Sequence, residues 1–188
     1  KMFREIDRAL SQVEDNDDVK VVVITGAGDK AFSAGVDFEE LDFKDMKESS
    51  DYIRSDARMF RRIESIPQPV IAAVNGYAFG YGCKIAIVSD IAIASDRAQF
   101  GLQGIKVGAV HVITLGRGRG VLGRGRLGYL LLSGKTIDAK KAEEYGIIAQ
   151  VVPHDQLYTE IESLAQSIAQ YPVLAVRAIK RMLHRGCD

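Results

Sequence analysis

Two strand-to-loop passages constrain this chain more than any other feature. The first reads VVVITGAGDKAFSAGVD over residues 21–37, and the second VIAAVNGYAFGYGCK over residues 70–84. Each begins as a run of β-branched and small apolar residues, the signature of a buried strand. Each ends in a glycine-rich loop. GAGDKA in the first fits G-x-G-x-x-[GA], but a dinucleotide loop also needs a helix to begin inside the motif, where the pyrophosphate sits on its N-terminus. The residues that follow carry no helical apolar stripe, and Gly35 would cost a helix ~1 kcal/mol. The acidic residue expected at the end of a second strand is missing too, since Asp42 and Asp45 lie in a polar, helix-like stretch. Two such loops, each presenting bare backbone N–H groups, fit a pair of donors converging on one oxygen, the geometry of an oxyanion hole. Two turns that use glycine for positive φ would give the same text.

The rest of the chain alternates strand and helix patterns. Met2, Ile6, Ala9, Leu10 and Val13 recur at helical spacing, and residues 45–65 repeat it with Met46, Tyr52, Ile53, Met59, Phe60 and Ile63. Buried strands are expected at residues 19–25 and 70–75 and further strands at 90–95 and 147–152, and residues 80–89 can open a helix. Asp138 is placed to cap a helix that Gly146 stops, and Asp155 to cap the next. Pro172 starts a last helix, which Gly186 ends. This order predicts an α/β fold with a largely parallel sheet, as a single domain over residues 1–188.

The chain has 188 residues, 47% of them hydrophobic and 27% charged, which fills one domain rather than two. Its formal net charge is zero, so no bulk attraction to nucleic acid or membrane is expected. Cys83 and Cys187 have neither metal-ligand spacing nor a disulfide pattern, and no metal site is expected. No apolar run approaches the ~20 residues of a membrane helix, and no signal peptide is expected. A cytoplasmic setting is expected. The chain opens at Lys1 inside a helical pattern and stops at Asp188, so it reads as truncated at both ends.

The passages VKVVVITGAGDKAFSAGVDF, IPQPVIAAVNGYAFGYGCKIAIVSDIAIASDRAQFG, KVGAV and LLLSGKTIDAKKAEEYGIIAQVVP, taken in this order, resemble the enoyl-CoA hydratase/isomerase (crotonase) family. The resemblance implies a spiral of ββα units that binds acyl-CoA thioesters in fatty acid metabolism. It also implies assembly as a homotrimer or a dimer of trimers. It makes the N–H groups of Val36 and Tyr81 the pair that holds the thioester oxygen as it gains enolate charge. Ala34, Asp37, Phe38 and Gly82 would then line the substrate. No cofactor is implied beyond the CoA thioester itself.

The resemblance also exposes departures. Hydratases of the family use two glutamates as base and acid. The positions that match them hold Lys84, in GYGCKI, and Gly104, in FGLQGI. FGLQGIKVGAVHVIT is similar to the text of the dihydroxynaphthoyl-CoA synthases, in which a bound bicarbonate is thought to replace the missing carboxylate. By that likeness Gly104 leaves space for a water, an anion or a bulkier substrate. His111 falls on a position of chemistry, where it could exchange a proton near neutral pH. Lys84 is the other candidate for proton transfer. Cys83 reads as a small buried residue rather than a nucleophile. The arginine-glycine run over residues 115–126 is expected to be a basic loop near the CoA phosphates or a subunit contact. Three functions follow: hydratase-like enolate chemistry, carbon–carbon bond making or breaking of the synthase type, and a catalytically silent homologue with an assembly or RNA-binding role.

Overall fold

The computed structural model describes residues 2–36 and 46–185. Asp37, Phe38, Gly186 and Cys187 lie outside the described residues. The chain runs α1 (Met2–Glu14), β1 (Val22–Thr25), β2 (Ala31–Ser33), α2 (Met46–Ser65), β3 (Val70–Val74), β4 (Tyr77–Phe79) and α3 (Tyr81–Val88). It continues with β5 (Ile91–Ser95), β6 (Gln99–Gly101), a 3₁₀ turn (Gln103–Val107) and α4 (Val112–Ser133). Then follow β7 (Thr136–Asp138), α5 (Ala139–Tyr145), β8 (Gln150–Val152), a second 3₁₀ turn (His154–Gln156), α6 (Leu157–Ala169) and α7 (Val173–Arg185).

The strands sort into two sheets, ordered β1-β3-β5-β8 and β2-β4-β6-β7. All pairs are parallel except β6 with β7. Each long strand therefore hands the chain to a short one in the other sheet, and a helix returns it one step along. Two full passes of this kind, and a third in which α4 leads to β7 before α5 reaches β8, make a ββα spiral, in line with the expected fold class. The short strands β2, β4 and β6 are too brief for the alternation that marks a strand in sequence.

β3 lies between two strands, and all five of its residues are buried. Ala72 and Val74 face one core with Phe60, Ile63 and Phe100, while Ile71 and Ala73 face a second with Leu157 and Ile161 of α6. Each large apolar side chain so enclosed stabilises the fold by roughly 1.5–3 kcal/mol. β1 carries the same β-branched text, but among the described residues it pairs with β3 alone, and it alternates between half-buried and exposed, with Val23 41% exposed. The expectation of a fully buried first strand is thus corrected: edge position sets its burial.

Asn75 ties the two glycine loops together. It is 1% exposed, its Nδ2 donates to the carbonyls of Gly26 (3.1 Å) and Gly28 (2.7 Å), and its Oδ1 accepts from Gly26 N–H (3.2 Å). Asp138 caps α5 by accepting from Lys141 N–H at 2.8 Å, and Gly146 ends that helix with φ 82°. Asp155 does not cap α6, because the chain makes a 3₁₀ turn first and Gln156 takes the cap position. The arginine-glycine run is not a loop. It is the body of α4, held by buried Ile113, Leu122, Leu127 and Leu130, with one break at Gly123 (φ 71°, ψ 167°). Among the described residues no helix is long and apolar enough to cross a membrane.

Candidate active site

The two glycine loops meet where the first leaves β2 and the second enters α3. Gly35 (φ 105°) and Gly80 (φ 51°) both sit in the left-handed region that favours glycine. A Cβ on Gly80 would stand 3.7 Å from Gly35 Cα, so the two backbones abut with no side chain between them. The residues that follow are Val36 and Tyr81. Val36 is half-buried and packs on the core, and Ala34 before it is exposed. Tyr81 opens α3, whose first ladder bond runs from Lys84 N–H to Gly80 carbonyl (3.1 Å). The N–H of Tyr81 therefore belongs to the first turn, at the positive end of the helix dipole.

Gly82 is where α3 meets β2. A Cβ there would lie 2.6 Å from the Ser33 carbonyl oxygen, so its bareness lets α3 press against β2. The ring of Tyr81 turns inward and stacks on Phe60 of α2, with centroids 5.7 Å apart and planes at 15°. That places an aromatic face under Lys84, whose Nζ lies 4.1 Å from the Tyr81 centroid and 5.7 Å from that of Phe60. Lys84 is only 6% exposed, and the two rings offset part of the penalty of burying its charge. The sequence does not single out Phe60. Its only signal there is a place in the apolar stripe of α2.

His111 sits at the cap position of α4, and its Nε2 accepts from Gly104 N–H at 2.9 Å. A Cβ on Gly104 would meet that nitrogen at 2.5 Å. The expected open space at Gly104 is therefore filled, and the imidazole is what fills it. Burial first, then the charge of Lys84, pushes the His111 pKa down to about 4. The ring is neutral at pH 7, with Nδ1 carrying the proton and Nε2 already engaged. Proton exchange near neutral pH, as the sequence suggests for His111, is displaced by these two effects. Cys83 is fully buried, and burial raises its thiol to about 12, which leaves it protonated and unreactive at pH 7.

From His111 an apolar cavity of about 450 Å³ opens along α4, walled by Ile105, Val110, Leu115, Leu127 and Leu131. Of the four arginines in the run, Arg117 is held bidentately by Glu64 (2.8 and 2.9 Å) and Arg126 lies 5.2 Å from the Tyr145 ring. The run is therefore not a uniform basic surface. Among the described residues no group of three His, Cys, Asp or Glu side chains could hold a metal ion.

The structure thus brings Val36, Tyr81, Gly82 and Lys84 to one end of α3, and Gly104 and His111 into contact beside the cavity. The sequence signature of the enoyl-CoA hydratase/isomerase family matches residues 1–188. The short-chain-enoyl-CoA hydratase of Clostridium acetobutylicum is 34% identical over 193 residues, covering 99% of this chain and 72% of that one. The crotonyl-CoA hydratase of Syntrophomonas wolfei is 35% identical over 187 residues, covering 97% and 70%. The crystal structure of the enoyl-CoA hydratase from Bacillus anthracis superposes with a TM-score of 0.93 at 32% identity, over 98% of this chain and 72% of that one. By signature, sequence and spiral fold together, the chain belongs to the enoyl-CoA hydratase/isomerase family.

Proposed function

We propose that the chain binds an acyl-CoA thioester and stabilises the enolate of its acyl group between the N–H groups of Val36 and Tyr81, in hydratase-like chemistry. The observation that carries this reading is the abutment of Gly35 and Gly80. Two left-handed glycines with no side chain between them deliver the following residues from two loops to one place. A thioester oxygen there would gain negative charge beside the first turn of α3, with the ammonium of Lys84 one turn deeper. Hydrogen-bond donors fixed in a water-poor site stabilise such charge without having to reorganise. Lys84 is the group for proton transfer in this reading. His111, neutral and tied to Gly104, is a positioning residue that keeps the wall of the cavity in place. A bicarbonate beside Gly104 would have to displace the imidazole.

The test is hydration of crotonyl-CoA by the purified chain, with thioester binding measured on the same sample. Tyr81→Pro deletes the N–H at the first helical position, where proline is tolerated. Tyr81→Ala removes the ring but keeps the N–H. Turnover in the proline variant is expected to fall about 100-fold below that in the alanine variant, the usual size for one oxyanion donor. Equal rates in the two variants would remove Tyr81 N–H from the site. The cavity beside His111 favours a second reading, carbon–carbon bond chemistry on a bulkier acyl group. Its mark is tight thioester binding without crotonyl-CoA hydration. Loss of thioester binding altogether would leave the non-enzymatic role.

A further inference from the structure

The cavity along α4 has a charge pattern that a plain fatty acyl chain would not use. Its walls are aliphatic, and its volume of about 450 Å³ is that of a small-molecule site, roughly 300–1,000 Å³. Among the described residues two cations line it, Arg119 and Arg124, and no acidic side chain does. Among the described residues neither arginine has an acidic partner, unlike Arg117, which is held by Glu64. The two lie on either side of the break at Gly123, and both still line the cavity.

The order along the helix gives the cavity a direction. His111, Leu115 and Arg119 are spaced by four and share a face of α4, which puts Arg119 about 12 Å along the axis from His111. The end at His111 is also the end that feels the charge of Lys84. The cavity therefore starts at His111, within reach of the charge of Lys84, passes over leucine and isoleucine, and reaches two uncompensated guanidinium groups. A guanidinium pairs bidentately with a carboxylate.

We propose that this cavity takes an acyl chain with a carboxylate at its far end, so that the substrate class is the CoA thioester of a dicarboxylic acid. Arg119 and Arg124 hold the distal carboxylate, and the aliphatic walls hold the methylenes. The proposal rests on the thioester reading above and specifies its acyl group.

The test measures dissociation constants of adipoyl-CoA and suberoyl-CoA against hexanoyl-CoA and octanoyl-CoA. It compares the unaltered chain with the double variant Arg119→Gln, Arg124→Gln. Both arginines are exposed on the helix, and glutamine keeps the helix propensity, so the variant is expected to fold. At one chain length or both, the dicarboxylic thioester should bind about tenfold tighter than its monocarboxylic partner, the worth of a charge-assisted hydrogen bond. The double variant should erase that advantage and leave hexanoyl- and octanoyl-CoA unchanged. Equal affinities within each pair would overturn the proposal and leave the thioester reading standing. An equal loss for all four ligands would overturn it too, by placing the arginines on the CoA moiety. If none of the four binds, the thioester reading itself fails and takes this one with it.

Discussion

Gly76 and Gly82 stand where a methyl group has no room, while Gly116 and Gly120 stand where, among the described residues, nothing lies within 4 Å of one. A Cβ on Gly76 would lie 2.3 Å from the Lys30 carbonyl oxygen, and one on Gly82 2.6 Å from that of Ser33. The glycines around the entry to α3 are spacers that let two loops and a helix close on each other. Those on the outer face of α4 meet nothing. The same residue type thus marks the most constrained backbone of the molecule in one region and the least constrained in the other. The first pattern is the one found where the two glycine loops meet.

The comparison would break first at the loops. Gly76→Ala and Gly82→Ala each force backbone to move, since the clashing atoms are main-chain carbonyls. Each is expected to lower stability by about 3 kcal/mol, the upper part of the range for overpacking. Urea unfolding followed by circular dichroism measures this. Gly82→Ala should also weaken thioester binding, because α3 carries Tyr81 away from Val36 as it retreats. A loss under about 0.5 kcal/mol, the level of an indifferent surface change, would mean that the loops have slack and the close approach is not required.

How much of this the sequence discloses depends on the range of the interaction. The Asp138 cap and the Gly146 stop are legible because both act within one turn. β3 is legible because a strand buried on both faces must be apolar throughout. The exposure of β1 is not, since the same residues would serve at the centre or the edge of a sheet. α4 is hidden for a different reason: a helix with so many glycines has weak intrinsic preference and is held by tertiary contacts at Leu122, Leu127 and Leu130. At the site, the two glycine loops stand out as text. The packing of Tyr81 on Phe60 and of His111 on Gly104 does not, because each pair is made by the fold and neither leaves a periodic trace.

His111 lies on the seam between the two regions, at the start of α4 with its ring against Gly104. Its ordinary pKa of 6.5 falls to about 4 in the fold. Between those values the unfolded chain takes up a proton that folded His111 refuses. Stability is therefore expected to fall as pH drops from about 6.5 toward 4, by on the order of 2 kcal/mol once partial exposure is discounted. His111→Gln retains an acceptor for Gly104 N–H but cannot titrate. Melting temperatures across this window should drop less in the variant than in the unaltered chain. Parallel curves would show that the ring is solvated in both states and that the seam is open.

The smallest effect tests the other side of the comparison. Gly116 and Gly120 are helical, with no neighbour among the described residues that a methyl group would touch. Alanine restricts the unfolded chain more than glycine does, and here the folded chain loses nothing in return. Gly116→Ala and Gly120→Ala should each therefore raise stability, by about 0.5–1 kcal/mol. The double variant should melt a few degrees higher and bind thioester as before. A loss of stability in place of the gain would mean that this face of α4 does meet a surface, close enough to exclude a methyl group. The two glycine regions would then differ in what covers them rather than in whether they are covered.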